Sequence, residues 1–304
     1  MKLTFPAIIL TMSCFVSANA SATQEYADAS AKIAYYNRQF SQSATDKERE
    51  IKAVYDLHIA PAITRAKLLN NKDLHDIFSS IDTLWFFANI TGDANSDVYL
   101  NRQIDILNIL RTRNDALTSE YIDSYNALVT ARRFEEAKHL LANAPEMNVT
   151  PIPVIQSAKD DVTPEGHAIL ELSENATTFS LRPVQIDVGD RIVIVAGCHF
   201  SEDAARDINS NNALRSAFLK GKAIWLEPAE ADLNTQIIQE WNQNFPDQKL
   251  SIAYHNSEWK GVDFARIPNF YFYKSGHLIG NVTGWKRGYI DPKIYTYLHE
   301  MGLL

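Results

Sequence analysis

Arg191-Ile192-Val193-Ile194-Val195-Ala196-Gly197-Cys198-His199-Phe200-Ser201 is the stretch on which the reading of this chain turns. Its first six residues form a β-branched apolar run, the pattern of a strand covered on both faces. Gly197 ends the run, Cys198 follows, and a helix is expected just after the cysteine, over residues 201–209. A thiol in that place meets the unpaired N–H groups and the positive dipole end of a helix, and both favour thiolate over thiol. His199 adds a positive charge when protonated, and Ser201, one turn on, is spaced to donate a hydrogen bond to the sulfur. A plainer reading of the same residues stays open. It takes Cys198 as a small buried residue, His199 as a partly exposed residue after a strand, and Ser201 as a residue suited to any helix N-terminus.

Strand and helix patterns alternate around this junction. Upstream, residues 168–172 and 179–181 read as a hairpin turning at Glu174-Asn175. Downstream, 223–226 reads as a strand, 233–244 as a helix with Ile237, Ile238 and Trp241 on its apolar face, and 250–254 as a strand. Residues 270–273 and 277–282 form a second hairpin turning at Lys274-Ser275-Gly276, and 290–301 is a closing helix. The order is β-α-β-α-β-β-α, with a hairpin in front.

This half resembles the thioredoxin-like family. There a Cys-x-x-Cys or Cys-x-x-Ser sits at a strand-to-helix junction with a cis proline facing it. Cys198-His199-Phe200-Ser201 matches the first element, and Arg266-Ile267-Pro268-Asn269-Phe270-Tyr271-Phe272-Tyr273-Lys274-Ser275-Gly276 looks like the proline, strand and turn of the second. The resemblance covers residues 185–304. It implies a thioredoxin-like α/β/α domain with a mixed central sheet, Cys198 as nucleophile tuned by Ser201 and His199, and Ile267 and Pro268 shaping a substrate groove. Three departures limit it. Ser201 stands where a second cysteine would resolve a trapped partner. Ile192 stands where the family carries a buried acid, and Gly197 where it carries a tryptophan.

The N-terminal half is helical in pattern from residue 24 to about 146, giving an α+β, two-domain chain. Tyr26, Ala29, Ile33, Tyr36 and Phe40 recur at helical spacing, Asp46 is the expected N-cap of a second helix, and Pro61 should kink it. Tyr121, Leu128, Phe134, Ala137, Leu141 and Ala144 resemble one tetratricopeptide repeat with its break near Arg132-Arg133; a generic helical hairpin fits equally. Residues 148–166, with Pro151, Pro153 and Pro164 around Lys159-Asp160-Asp161, read as a linker or an extended crossing. The expected division is therefore a leader at 1–20, a helical domain at 21–147, the linker, and the thioredoxin-like domain at 167–304. The leader rests on Lys2, an apolar stretch from Leu3 to Val16, and the small-x-small site Ala18-Asn19-Ala20. That stretch is shorter than the ~20 residues of a bilayer span, and Thr11-Met12 fits acylation at Cys14 poorly. No later apolar run reaches ~18 residues, so no transmembrane segment is expected after cleavage.

Composition closes off other classes. Eleven Gly and 11 Pro in 304 residues exclude collagen-like and Gly/Pro-rich disordered chains. The formal charge of −8 argues against bulk binding to nucleic acid. His255, His277 and His299 lack ligand spacing, so no metal is expected, and no Gly-rich phosphate loop or other cofactor motif occurs. Loss of the leader removes Cys14, leaving Cys198 alone in a periplasmic or secreted chain. The first expectation is thus an exported protein acting through one thiol. Its partners would be thiol- or disulfide-containing client proteins or small thiols, with a protein partner for the helical domain. The alternative is a non-catalytic adaptor that works through its helices.

Overall fold

The computed structural model describes residues 12–157, 166–231 and 233–304. The beginning of the expected leader, residues 1–11, and the middle of the expected linker, residues 158–165, lie outside the described residues. The chain divides into two compact units. One holds the described residues up to Ala127 together with Leu140–Met147; the other holds Leu128–His139 and Asn148–Leu304. Among the described residues no helix is long and apolar enough to cross a membrane.

The helical part runs α1 (Met12–Asn37), α2 (Ala44–Val54), α3 (Ala60–Ile63), α4 (Asn71–Thr91), α5 (Ser96–Thr112), α6 (Thr118–Thr130) and α7 (Phe134–Ala142). A single wide turn, Tyr55–Ile59, joins α2 to α3, and Pro61 sits in the first turn of α3, where its missing N–H costs nothing. Ser43, not Asp46, caps α2. Its hydroxyl accepts from the Asp46 N–H at 3.1 Å, and Asp46 takes the third helical position, where a carboxylate also meets the dipole. Phe40 does not extend the apolar face of α1; it lies beyond the end of that helix and is 95% exposed. Tyr26, Ala29 and Ile33 are buried, as their spacing predicts, and Ile51, Leu74, Ile77, Ile81, Leu107 and Leu110 are buried with them.

The second part is an eight-stranded mixed sheet of β1 (Val154–Ser157), β2 (His167–Leu172), β3 (Thr178–Val184), β4 (Arg191–Val195), β5 (Ile224–Glu227), β6 (Leu250–Ala253), β7 (Asn269–Lys274) and β8 (His277–Thr283). Their spatial order is β1-β3-β2-β6-β5-β4-β7-β8. β4, β5 and β6 are mutually parallel, and β7 turns antiparallel to β4. The helices are α8 (His199–Ser210), α9 (Asn212–Lys220), α10 (Thr235–Asn244) and α11 (Pro292–Glu300). Two elements depart from expectation. β1 lies inside the expected linker and pairs with β3, and α9 follows α8 after a single residue, Asn211, whose side chain caps it.

β4 is buried on both faces, with Ile192 to Val195 all at 0% exposure. Ile192 and Ile194 face one core with Ala205 of α8, Phe218 of α9, Trp241 of α10 and Leu298 of α11. Val193 and Val195 face the other with Trp259, Phe264 and Tyr271. The expected α/β/α layering is therefore corrected. Helices α8 to α11 all contribute to one core, and the opposite face of the sheet is covered from connecting segments that carry Ile186, Trp259 and Phe264. An apolar run on both faces of a strand reports that each face is covered, but not by what kind of element.

Candidate functional site

The sheet register assembles the site. Val195, the last residue of β4, pairs with Asn269, the first of β7. The segment leaving β4 and the segment entering β7 therefore meet at one end of the sheet. The first carries Cys198 and the second carries Ile267-Pro268, whose peptide bond is cis. On the other side of β4, Val195 pairs with Leu226 of β5, and the Ala196 N–H continues the ladder to the Leu226 carbonyl at 2.9 Å. Glu227 is thereby set beside Gly197. The ends of parallel strands at such a crevice are where sites are commonly built in α/β sheets.

Gly197 makes the turn. Its φ of +129° is a region L side chains rarely adopt, and a Cβ there would stand 3.0 Å from Glu227 Oε1. Cys198 then takes the N-cap position of α8 with an extended backbone, φ −127° and ψ 168°. The residue is half-buried. Sγ lies 3.4 Å from Ser201 Oγ and 3.7 Å from the Ile267 carbonyl oxygen. The Cys198 N–H points at Ser201 Oγ across 3.5 Å. Ser201 is fully buried, so its hydroxyl is committed to this corner rather than to bulk water.

Of the residues singled out in the sequence, Cys198, Ser201, Ile267 and Pro268 are brought together. Pro268 is buried and its carbonyl accepts from the Gly284 N–H at 2.7 Å. The next residue, Asn269, is buried and donates to the Tyr271 hydroxyl at 2.6 Å, which also accepts from the Asp263 N–H at 2.6 Å. These bonds fix the segment that faces the sulfur. His199 is exposed, its ring 3.8 Å from that of Phe200, and it lines the same small cavity as Cys198. Ile192 packs at 0% exposure in the helical-face core.

That cavity, about 180 Å³, was not legible in the sequence. Besides Gly197, Cys198 and His199 it is lined by Glu202, Glu227 and Glu240 and by the apolar side chains of Ile237, Trp241 and Phe245. Glu227 directly follows the expected strand 223–226, so its position at a parallel strand end was the available signal. Among the described residues no cluster of His, Cys, Asp and Glu is placed to hold a metal ion.

A second polar feature of this unit also escaped the sequence reading. Arg132 is buried, and its guanidinium donates to the Ala253 carbonyl at 2.6 Å and the Tyr254 carbonyl at 2.7 Å, at the end of β6. Burial lowers it to about 10. Burial also pushes Glu258 up to about 7, against the pull of its bond from the Ala168 N–H.

No family model matches the chain, and no curated protein matches it. Among solved structures it is similar to a thioredoxin-like protein from Bacteroides caccae, at 14% identity, over 99% of each chain, with a TM-score of 0.30.

Proposed function

We propose that this is an exported thioredoxin-like protein that acts through a single thiol, forming mixed disulfides with client proteins or exchanging with small thiols. The observation that carries it is the half-buried Cys198 at the head of α8, lining a cavity, with its Sγ 3.4 Å from Ser201 Oγ and 3.7 Å from the Ile267 carbonyl. In the proposed step the Cys198 thiolate attacks one sulfur of a client disulfide. The client S–S bond breaks, its other sulfur leaves as thiolate, and Cys198 holds the client as a mixed disulfide. The Ser201 hydroxyl donates to the attacking sulfur, and His199 lines the same cavity beside it. Ile267 and Pro268 present the wall against which an extended client lies. Ser201 has no sulfur, so release requires a second thiol from a partner or a small molecule. The helical part, with its tetratricopeptide-like α6 and α7, would hold a client or partner protein, and the export rests on the leader at residues 1–20.

The test is capture of clients from the exported compartment by wild type and by Cys198→Ser. Capture that needs Cys198 and is released by reductant supports the thiol reading. Capture that persists unchanged in Cys198→Ser under reducing conditions makes the protein an adaptor.

A further inference from the structure

The cavity beside Cys198 has a definite chemical character. Three separate elements bring carboxylates to it: Glu202 from the first turn of α8, Glu227 from the end of β5, and Glu240 from α10. Among the described residues no lysine or arginine lines it, and His199 is the imidazole lining it. Arg206 stands over the Phe245 ring, 6.0 Å from its centroid, but is turned to Asp203. Glu240 accepts from the neutral Gln236 amide at 2.9 Å, which leaves its charge uncompensated by that partner. The same cavity is lined by apolar side chains: Ile237, 55% exposed, and the buried Trp241 and Phe245. An apolar wall rimmed by carboxylates suits a long aliphatic stem ending in a cation. The space, about 180 Å³, holds one such side chain.

We infer that the thiol site selects disulfides flanked by a positive charge. The client side chain next to the attacked sulfur is a lysine or arginine, its stem along Ile237, Trp241 and Phe245 and its head among Glu202, Glu227 and Glu240. This rests on the single-thiol reading and sharpens it, because glutathione, which carries net negative charge, becomes a poor exchange partner. The cationic group lowers the energy of the encounter at the carboxylates, and the thiolate attack and the departure of the second client sulfur proceed as in any thiol–disulfide exchange.

The experiment uses the reduced mature chain and three small disulfides: cystamine, which is cationic, 2-hydroxyethyl disulfide, which is neutral, and 3,3′-dithiodipropionate, which is anionic. Rate constants are divided by those of a short unstructured cysteine peptide to remove intrinsic reactivity. At low salt the normalised rate for cystamine should exceed that for dithiodipropionate by on the order of tenfold. The preference should shrink toward unity near ~0.5 M salt and in the double variant Glu202→Gln, Glu240→Gln, both exposed positions whose change leaves the core untouched. Equal normalised rates for all three disulfides overturn the inference and leave the thiol reading standing. A sulfur inert to all three until the chain is denatured overturns both.

Discussion

At Gly197 the backbone combines a φ of +129° with a neighbour, Glu227 Oε1, only 3.0 Å from where a Cβ would stand. Gly197→Ala should cost about 1–3 kcal/mol, read as a lowered urea midpoint, and should slow disulfide exchange because the sulfur beside it moves. Ser201 is buried against that sulfur. Ser201→Ala should cost ~1 kcal/mol and slow exchange without abolishing it, whereas Ser201→Cys supplies a resolving thiol and should empty the pool of trapped mixed disulfides. Non-reducing electrophoresis distinguishes these variants; adducts as abundant in Ser201→Cys as in wild type would contradict the assigned geometry. The placing of Cys198 and Ser201 at the head of a helix was legible in the strand-to-helix pattern, whereas the approach of Pro268 to them was expected only from the family resemblance. Glu227 and Glu240 were not, since their approach to the sulfur depends on which strand lies beside β4 and on where α10 packs, and neither is written in local spacing.

Among the elements, the contact of α4 with α6 carries a pH dependence. Asp82 of α4 is pushed up to about 7, first by burial and then by the like charge of Asp123 on α6. Its folded value exceeds its unfolded value near 3.8, so the stabilisation it brings is full below that and fades as pH rises through about 7. Burial works to lower His75, but its hydrogen bonds to Glu120 at 2.7 Å and Asp115 at 3.1 Å outweigh burial and raise it. Its contribution is full below about 6.5 and is lost as pH rises through the raised folded value. Both signs agree, so the helical unit should melt several degrees higher near pH 5 than near pH 8, followed by circular dichroism; a melting temperature that rises with pH would contradict this. In the other unit, Arg132→Ala leaves the Ala253 and Tyr254 carbonyls without their donor and should cost about 2–4 kcal/mol, measured by chemical denaturation. The sequence showed a break between helices at Arg132-Arg133, but burial of an arginine there is set by β6, more than a hundred residues away. Likewise β1 was hidden among prolines, because its pairing with β3 is a tertiary contact that overrides local turn signals. Helix α9 was hidden by a polar start, Asn211-Asn212, that looks like a loop and is a cap.

For the molecule as a whole, the alternation of strand and helix patterns over residues 167–304 pointed to the strand-to-helix junction at Cys198, while the mixed sheet and the cis bond at Pro268 were expected only from the thioredoxin-like resemblance; the structure has both the mixed sheet and the cis bond. The layering was not foreseeable, because Ile192 to Val195 are equally apolar on both faces while α8 to α11 cover only one. Functionally, Ile192 and Ser201 take two parts out of a dithiol cycle, the buried acid and the resolving sulfur, and leave the attacking sulfur in place. On the proposed single-thiol reading, such a chain begins an exchange and depends on another thiol to end it. Single-thiol exchange requires that this sulfur be competent in the folded protein. The direct measurement is the reaction of the folded, reduced mature chain with a small disulfide whose leaving thiol is coloured or fluorescent. One leaving group per chain, released without denaturant and lost in Cys198→Ser, is the predicted result; release that begins only after the chain is unfolded would contradict it.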